Sequence, residues 1–181
     1  MIETLVWSLR VSRQQTVSLV SDLDDAQMIQ QPRAGMNHPA WTLGHLYILD
    51  AYLADAFDRA EELNTEHDGH EPPVKVDESW QRTHSPKSRC TSEPGAYRSK
   101  REYLDQLESV RVGLLARLER LGNEDLKRST PDPSFRERFP TLGHLLHYAL
   151  WHEAYHAGQL AAWRRAMDLP DVEVRFEPAP A

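Results

Sequence analysis

Cysteine is almost missing from this chain: of 181 residues only Cys90 is one. An intramolecular disulfide is therefore excluded, and a reducing compartment is the natural setting. Among polar residues in a connector, Cys90 has nothing beside it that marks a nucleophile. Positive charge is also short, with 21 Lys and Arg against 28 Asp and Glu and a net charge of −7. That balance makes no overall case for nucleic acid or for an anionic membrane surface, so neither is expected as a partner. Long apolar runs do not occur, which removes a membrane-spanning helix from the expectations. The opening MIETLVWSLR carries Glu3 and Arg10 inside its apolar run and lacks a secretory core. The chain is expected to be a cytoplasmic protein of one domain, residues 1–181, long enough to bury a proper core.

What is plentiful is histidine, nine in all, together with helical periodicity. The strongest stretch runs from Thr141 to Leu169. Leu142, Leu145, Leu146, Ala149, Leu160 and Trp163 recur at steps of three and four, with Pro140 before it and Pro170 after it. An earlier stripe through Leu5, Leu9, Leu19 and Leu23 predicts a helix over 2–23, with Arg10, Arg13, Gln14 and Asp22 as its polar side. A second is expected over 39–60, opened by Pro39. A third is expected over 99–121, from a Ser99/Glu102 capping box to Gly122. Residues 63–96 hold four prolines and two glycines among charges and are read as a long crossover without a long regular element. The tail after Pro170 has room for a short strand from Val172 to Phe176. Four long helices and no convincing sheet predict an all-α bundle.

His152 and His156 are four apart, one turn above each other on a helix with Cβ atoms about 5–6 Å apart, a spacing at which two imidazoles can share a metal ion. Zinc-like ions accept three imidazoles with one position open, and His45 on the second helix is the third ligand expected. The pentapeptide TLGHL occurs twice, at Thr42–Leu46 and Thr141–Leu145. Its flanks differ, so it is taken as coincidence, but it makes His144 a competing ligand. His67, His70 and His84 in the crossover are expected in solvent, and His38 at a helix entrance is expected to cap. Glu153 is a candidate base or partner to the ligands, set against an ordinary exposed helix glutamate. Gln159, three beyond His156, is a candidate to orient a substrate or a ligand ring. Trp41 is read as packing, Tyr52 and Tyr148 as packing with a place in the pocket wall as the alternative, and Arg164 and Arg165 as solvated helix-end charges. His152-Glu153-Ala154-Tyr155-His156 also fits the HExxH pattern of zinc proteases. No further histidine follows it and no strand precedes it; a third ligand would have to come from Glu173 or Glu177 in the tail.

With Asn37-His38-Pro39-Ala40-Trp41-Thr42-Leu43-Gly44-His45-Leu46 opening the second helix and His152 to Leu160 in the fourth, the chain resembles the DinB/YfiT-like family of metal-dependent enzymes, unrelated to the similarly named DNA polymerase. The resemblance implies a four-helix bundle of up-down-down-up topology. It implies a divalent ion, zinc or nickel, on three histidines, which here are His45, His152 and His156. It implies a small-molecule substrate and a homodimer. It also implies transfer of a low-molecular-weight thiol to a small electrophile, as in members that use bacillithiol, glutathione-like or mycothiol cosubstrates, one of them a mycothiol-dependent isomerase. From the residues themselves a metal-dependent hydrolase and a noncatalytic, metal-stabilised interaction or stress-response module stay open beside the transferase.

Overall fold

The segment that positions everything else is the helix opened by Pro39, whose missing N–H costs nothing at a first helical position. In front of it the His38 ring acts as the cap: its Nδ1 accepts the Trp41 N–H at 3.2 Å, and its Nε2 donates to the Thr91 carbonyl at 2.9 Å. The computed structural model describes residues 1–62 and 76–173. In chain order its α-helices are α1 (Ile2–Ser18), α2 (Asp25–Met28), α3 (Pro39–Glu62), α4 (Glu78–His84), α5 (Lys100–Leu118), α6 (Pro133–Arg136) and α7 (Leu142–Ala166), with a 3-10 turn at Asp125–Lys127.

The fold is all-α. It is not the plain four-helix bundle expected, since three short helices join the four long ones among the described residues and α3 packs against α4, α5 and α7. α1 packs against α7 and α5. The ends are set by local chemistry. Ser99 and Glu102 form the expected capping box on α5, and Thr141 Oγ1 accepts the His144 N–H at the start of α7. The first helix ends at Ser18, short of Leu23, because the next residues turn through bonds three apart, Ser21 N–H to the Ser18 carbonyl and Leu23 N–H to Val20. A capping box of Asp24 and Gln27 then starts α2 inside the expected connector. The third helix ends at Leu118 for the same reason, with Leu121 N–H bonded to the Leu118 carbonyl. Residues 172 and 173 form no strand; the rest of the expected tail strand, Glu177, and the linker histidines His67 and His70 lie outside the described residues.

The apolar core is in two parts. One gathers Leu43, Leu46, Tyr103, Leu107, Leu160 and Trp163; the other gathers Leu9, Leu53, Phe57, Leu114, Leu118 and Leu145. Along each long helix one buried charge falls between the two: Arg13, Asp50, Arg111 and Glu153. Arg13 reaches Glu153 at 2.7 Å and Asp50 at 3.0 Å. Arg111 reaches Asp50 at 2.8 Å and Glu153 at 2.5 Å. The guanidiniums also donate to the carbonyls of Leu107 and Leu9. Two cations and two anions cancel, so the layer is tolerable in a low dielectric only while complete; loss of one partner from such a network costs about 3–5 kcal/mol.

This layer corrects two expectations. Arg13 is not on a polar outer face, and Glu153 is not an exposed glutamate. Arg164 is likewise buried: it ion-pairs with Asp22 at 2.6 Å and donates to the carbonyls of Leu19 and Pro170. In each case the guanidinium or carboxylate is buried because a partner distant in sequence meets it.

Candidate metal centre

His45 comes from the second turn of α3, and His152 and His156 from successive turns of α7. All three are buried. Their Nε2 atoms converge. His152 Nε2 lies 3.3 Å from that of His45 and 3.2 Å from that of His156, and one ligand atom from each ring falls within 4.8 Å of the others. Among the described residues no other group of three His, Cys, Asp or Glu side chains is so placed.

The far nitrogens explain the tautomers. His45 Nδ1 donates to the His84 carbonyl at 2.9 Å, and His156 Nδ1 donates to Gln159 Oε1 at 2.8 Å. With the proton on Nδ1, both rings turn an Nε2 lone pair inward. His152 Nδ1 is buried without a partner among the described residues. Burial keeps all three rings neutral. It lowers the pKa of His45, takes that of His152 to about 3 with help from His156 and His45, and takes that of His156 to about 4 with help from His45. The inward Nε2 atoms of His45 and His156 are acceptors, and that of His152, whose Nδ1 meets no acceptor, can join them as a third when its proton is on Nδ1. Tetrahedral zinc with bonds of about 2.0–2.1 Å to nitrogen separates its ligand atoms by about 3.3 Å, and the two closest pairs here match that. The donor set fits a zinc-like divalent ion.

The surroundings come from a region expected to hold no long element. α4 lies across α3: Trp80 Nε1 donates to the Gly44 carbonyl at 3.0 Å, and the His84 ring sits over Gly44. A Cβ at Gly44 would stand 2.4 Å from that ring, so only glycine allows the approach that brings the His84 carbonyl to His45. His84 is therefore not solvated as expected. It is buried, with Nε2 3.0 Å from the Tyr103 hydroxyl and Nδ1 3.3 Å from the Trp41 carbonyl. Trp41 is buried, and its ring stacks on His45 with centroids 4.9 Å apart. His144 does not join the cluster. It is exposed in the first turn of α7, with Nδ1 2.8 Å from Thr141 Oγ1.

A cavity of about 430 Å³ meets this centre, lined by His45 and His152 and by Ile48, Leu49, Tyr52 and Phe135. A larger cleft of about 880 Å³ at the start of α7 is lined by Phe139, His144 and Trp151 but by none of the three converging histidines. Size does not decide between them, because of the two only the smaller is lined by any of the three histidines. Cys90 is buried, which pushes its thiol pKa up, and it is not in the histidine cluster.

The model of the DinB superfamily matches residues 8–160, which include all three histidines and the whole buried charge layer. This chain belongs to the DinB superfamily. No curated protein and no solved structure matched it. Among the described residues no helix is long and apolar enough to cross a membrane.

Sequence reasoning missed Arg13, Asp50, Arg111 and the second-layer role of His84. For the charges a signal was present. Arg111 interrupts the stripe Leu107, Leu114, Leu118, and Asp50 interrupts Leu43, Leu46, Leu53, Phe57, each on the apolar side of its helix. For His84 there was none, because its role is carried by a backbone carbonyl.

Proposed function

We propose that this DinB-superfamily chain is an enzyme whose His45, His152 and His156 hold one divalent ion, zinc or nickel, through Nε2. The convergence of three buried histidine nitrogens beside a cavity carries the reading. When bound, the ion supplies a positive centre that keeps a thiol deprotonated or lowers the pKa of water. The resemblance favours the first use, delivery of a low-molecular-weight thiol to a small electrophile. Since Cys90 is buried away from the histidines, the sulfur in this reading belongs to a separate cosubstrate.

The protein's own groups bind and orient. The His84 carbonyl and Gln159 Oε1 fix the rings of His45 and His156. Glu153 enters as a positioning residue: bonded to Arg13 and Arg111, it anchors the turn of α7 that carries His152. Both of its oxygens are engaged in the core, and Arg111 and Arg13 outweigh burial to hold its pKa well below the ordinary carboxylate range. The HExxH reading as a protease is thereby left without its base.

Within the fold we infer the up-down-down-up order for the four long helices. It is supported by pairings that advance together, Arg13 with Glu153 then Leu19 with Arg164 for α1 and α7, and Asp50 with Arg111 then Asp58 with Arg117 for α3 and α5. The same proposal takes the chain as one cytoplasmic domain acting on a small molecule, without nucleic acid. It also takes the chain as a homodimer, for which exposed Trp151 and Tyr155 on α7 supply apolar surface.

Metal analysis of the purified protein and of His→Ala variants tests the ligand set. About one ion per chain is expected, lost in each variant; unchanged metal content in any of them removes that ligand. Conjugation of several cellular thiols to a generic electrophile tests the chemistry. A metal-loaded protein with no rate above background favours the noncatalytic module instead.

A further inference from the structure

The protons of the three converging rings follow by elimination. The His84 carbonyl can only accept, so His45 carries its proton on Nδ1, 2.9 Å from that oxygen. His156 likewise carries its proton on Nδ1, which donates to Gln159 Oε1 at 2.8 Å. A neutral imidazole has one N–H, so the Nε2 atoms of both rings are acceptors. His152 Nε2 lies between them, 3.3 Å from the first and 3.2 Å from the second. Only an N–H at His152 Nε2 turns these two approaches into hydrogen bonds. With its proton on Nδ1 instead, three lone pairs would face one another. A buried N–H would also be left unmet, since His152 Nδ1 has no partner among the described residues. An ion held by the same three nitrogens reverses the preference, because it needs a lone pair on each. One spacing serves both states: 3.2–3.3 Å suits a long hydrogen bond between nitrogens and is also about the edge of a zinc tetrahedron. Passing from one to the other asks for a proton shift and little movement of the rings.

We propose that His152 is a tautomer-switching ligand. Without an ion its proton lies on Nε2, shared between His45 and His156; with an ion bound it lies on Nδ1, while the other two rings keep theirs on Nδ1 throughout. The proton given to solvent from Nε2 is matched by one taken from solvent at Nδ1, so the ring stays neutral. Of the three ligands His152 is then the one with no second-layer acceptor among the described residues. The metal-free half of the proposal stands on hydrogen bonding alone, and the metal-bound half rests on the proposed function.

The test is long-range proton–nitrogen correlation NMR of the full chain with isotope-labelled histidine at neutral pH. Spectra are taken after metal is stripped by a chelator and again with one equivalent of zinc, whose binding is measured separately by competition with a chelating dye. Such spectra show which ring nitrogen carries the proton. No ligand has to be replaced for assignment, because each ring lies by a different aromatic: His45 by Trp41, His152 by Tyr148 and His156 by Tyr155, with centroids 4.9, 5.4 and 5.4 Å apart. In the stripped protein His152 is expected with its proton on Nε2, favoured about tenfold or more, and His45 and His156 with theirs on Nδ1. Zinc is expected to turn His152 alone. A stripped protein with the His152 proton on Nδ1, or with that of His45 or His156 on Nε2, overturns the proposal even where zinc binds and the metal centre stands. Zinc that binds and leaves the His152 proton on Nε2 overturns the switch and removes His152 from the ligand set. If the stripped tautomers are as expected and zinc does not bind, the metal centre and the switch fail while the hydrogen-bonded assignment holds.

Discussion

The same five residues, Thr-Leu-Gly-His-Leu, occur in α3 and again at the start of α7, and the two copies do different work. In the first, Gly44 admits the His84 ring and His45 is buried with Nδ1 on the His84 carbonyl, which turns Nε2 toward two other imidazoles. In the second, Thr141 is the N-cap, Gly143 lies against the Leu126 carbonyl and His144 is out in solvent beside its own cap. Both glycines serve a close approach. What differs is the visitor: α4 brings a second-layer acceptor to one copy, and the 3-10 turn brings ordinary packing to the other. A motif of this length therefore specifies local shape, and the element laid over it specifies chemistry.

The largest expected effect separates the two histidines. His45→Ala should lose the bound ion while His144→Ala keeps it, as measured by metal analysis and by the loss of chelator sensitivity in thermal melting. Retention of metal by H45A, or its loss from H144A, would reverse the assignment of the two copies.

Next come the glycines. Gly44→Ala forces a Cβ to within 2.4 Å of a buried ring. It should cost about 1–3 kcal/mol by overpacking, offset by about 1 kcal/mol of helix propensity. Because the His84 carbonyl moves with that ring, metal affinity should also fall about 10–100-fold. Gly143→Ala meets the Leu126 carbonyl at 3.1 Å, tight but not prohibitive. Its net change in stability should stay within about 1 kcal/mol once helix propensity is counted, with metal affinity unmoved. Equal effects of G44A and G143A on metal affinity, read by competition with a chelating dye, would mean that α4 does not orient His45.

Gln159→Ala extends the comparison to the other oriented ring. It should weaken metal binding at the low end of the same range, about tenfold, with little change in melting because Gln159 is half-buried. The smallest effect belongs to the second copy's cap: Thr141→Ala should lower stability by about 1 kcal/mol in denaturant unfolding and leave metal binding alone.

Much of the helical frame was legible in the chain. The capping box at Ser99 and Glu102, Pro39 at the head of α3 and the long stripe of α7 act over one or two turns, and their physics is local. The pair His152 and His156 was legible for the same reason, since four residues make one turn. The choice of His45 over His144 rested on its place on a different long helix from the pair, since ligands from two helices can surround an ion as one helix cannot, and the resemblance to a family agreed with it; the pentapeptide itself gives no local ground for it. Arg13, Asp50, Arg111 and Arg164 were misplaced or passed over because a lone charge in a helix reads as solvated until its partner is known, and each partner lies elsewhere in the chain, on another helix or, for Arg164, in the turn after α1.

By itself, then, the amino-acid order determined where helices form, which residues punctuate them and which two imidazoles share a face. Only the packed molecule decided that a third imidazole meets them, that α4 supplies the acceptor holding it, and that Glu153 belongs to a closed ring of charges rather than to solvent. The physical reason is range. Helix propensity and capping act within a few residues, whereas burying a charge or gathering inward nitrogens depends on groups far apart in the chain, as Arg13 is from Glu153 by 140 positions.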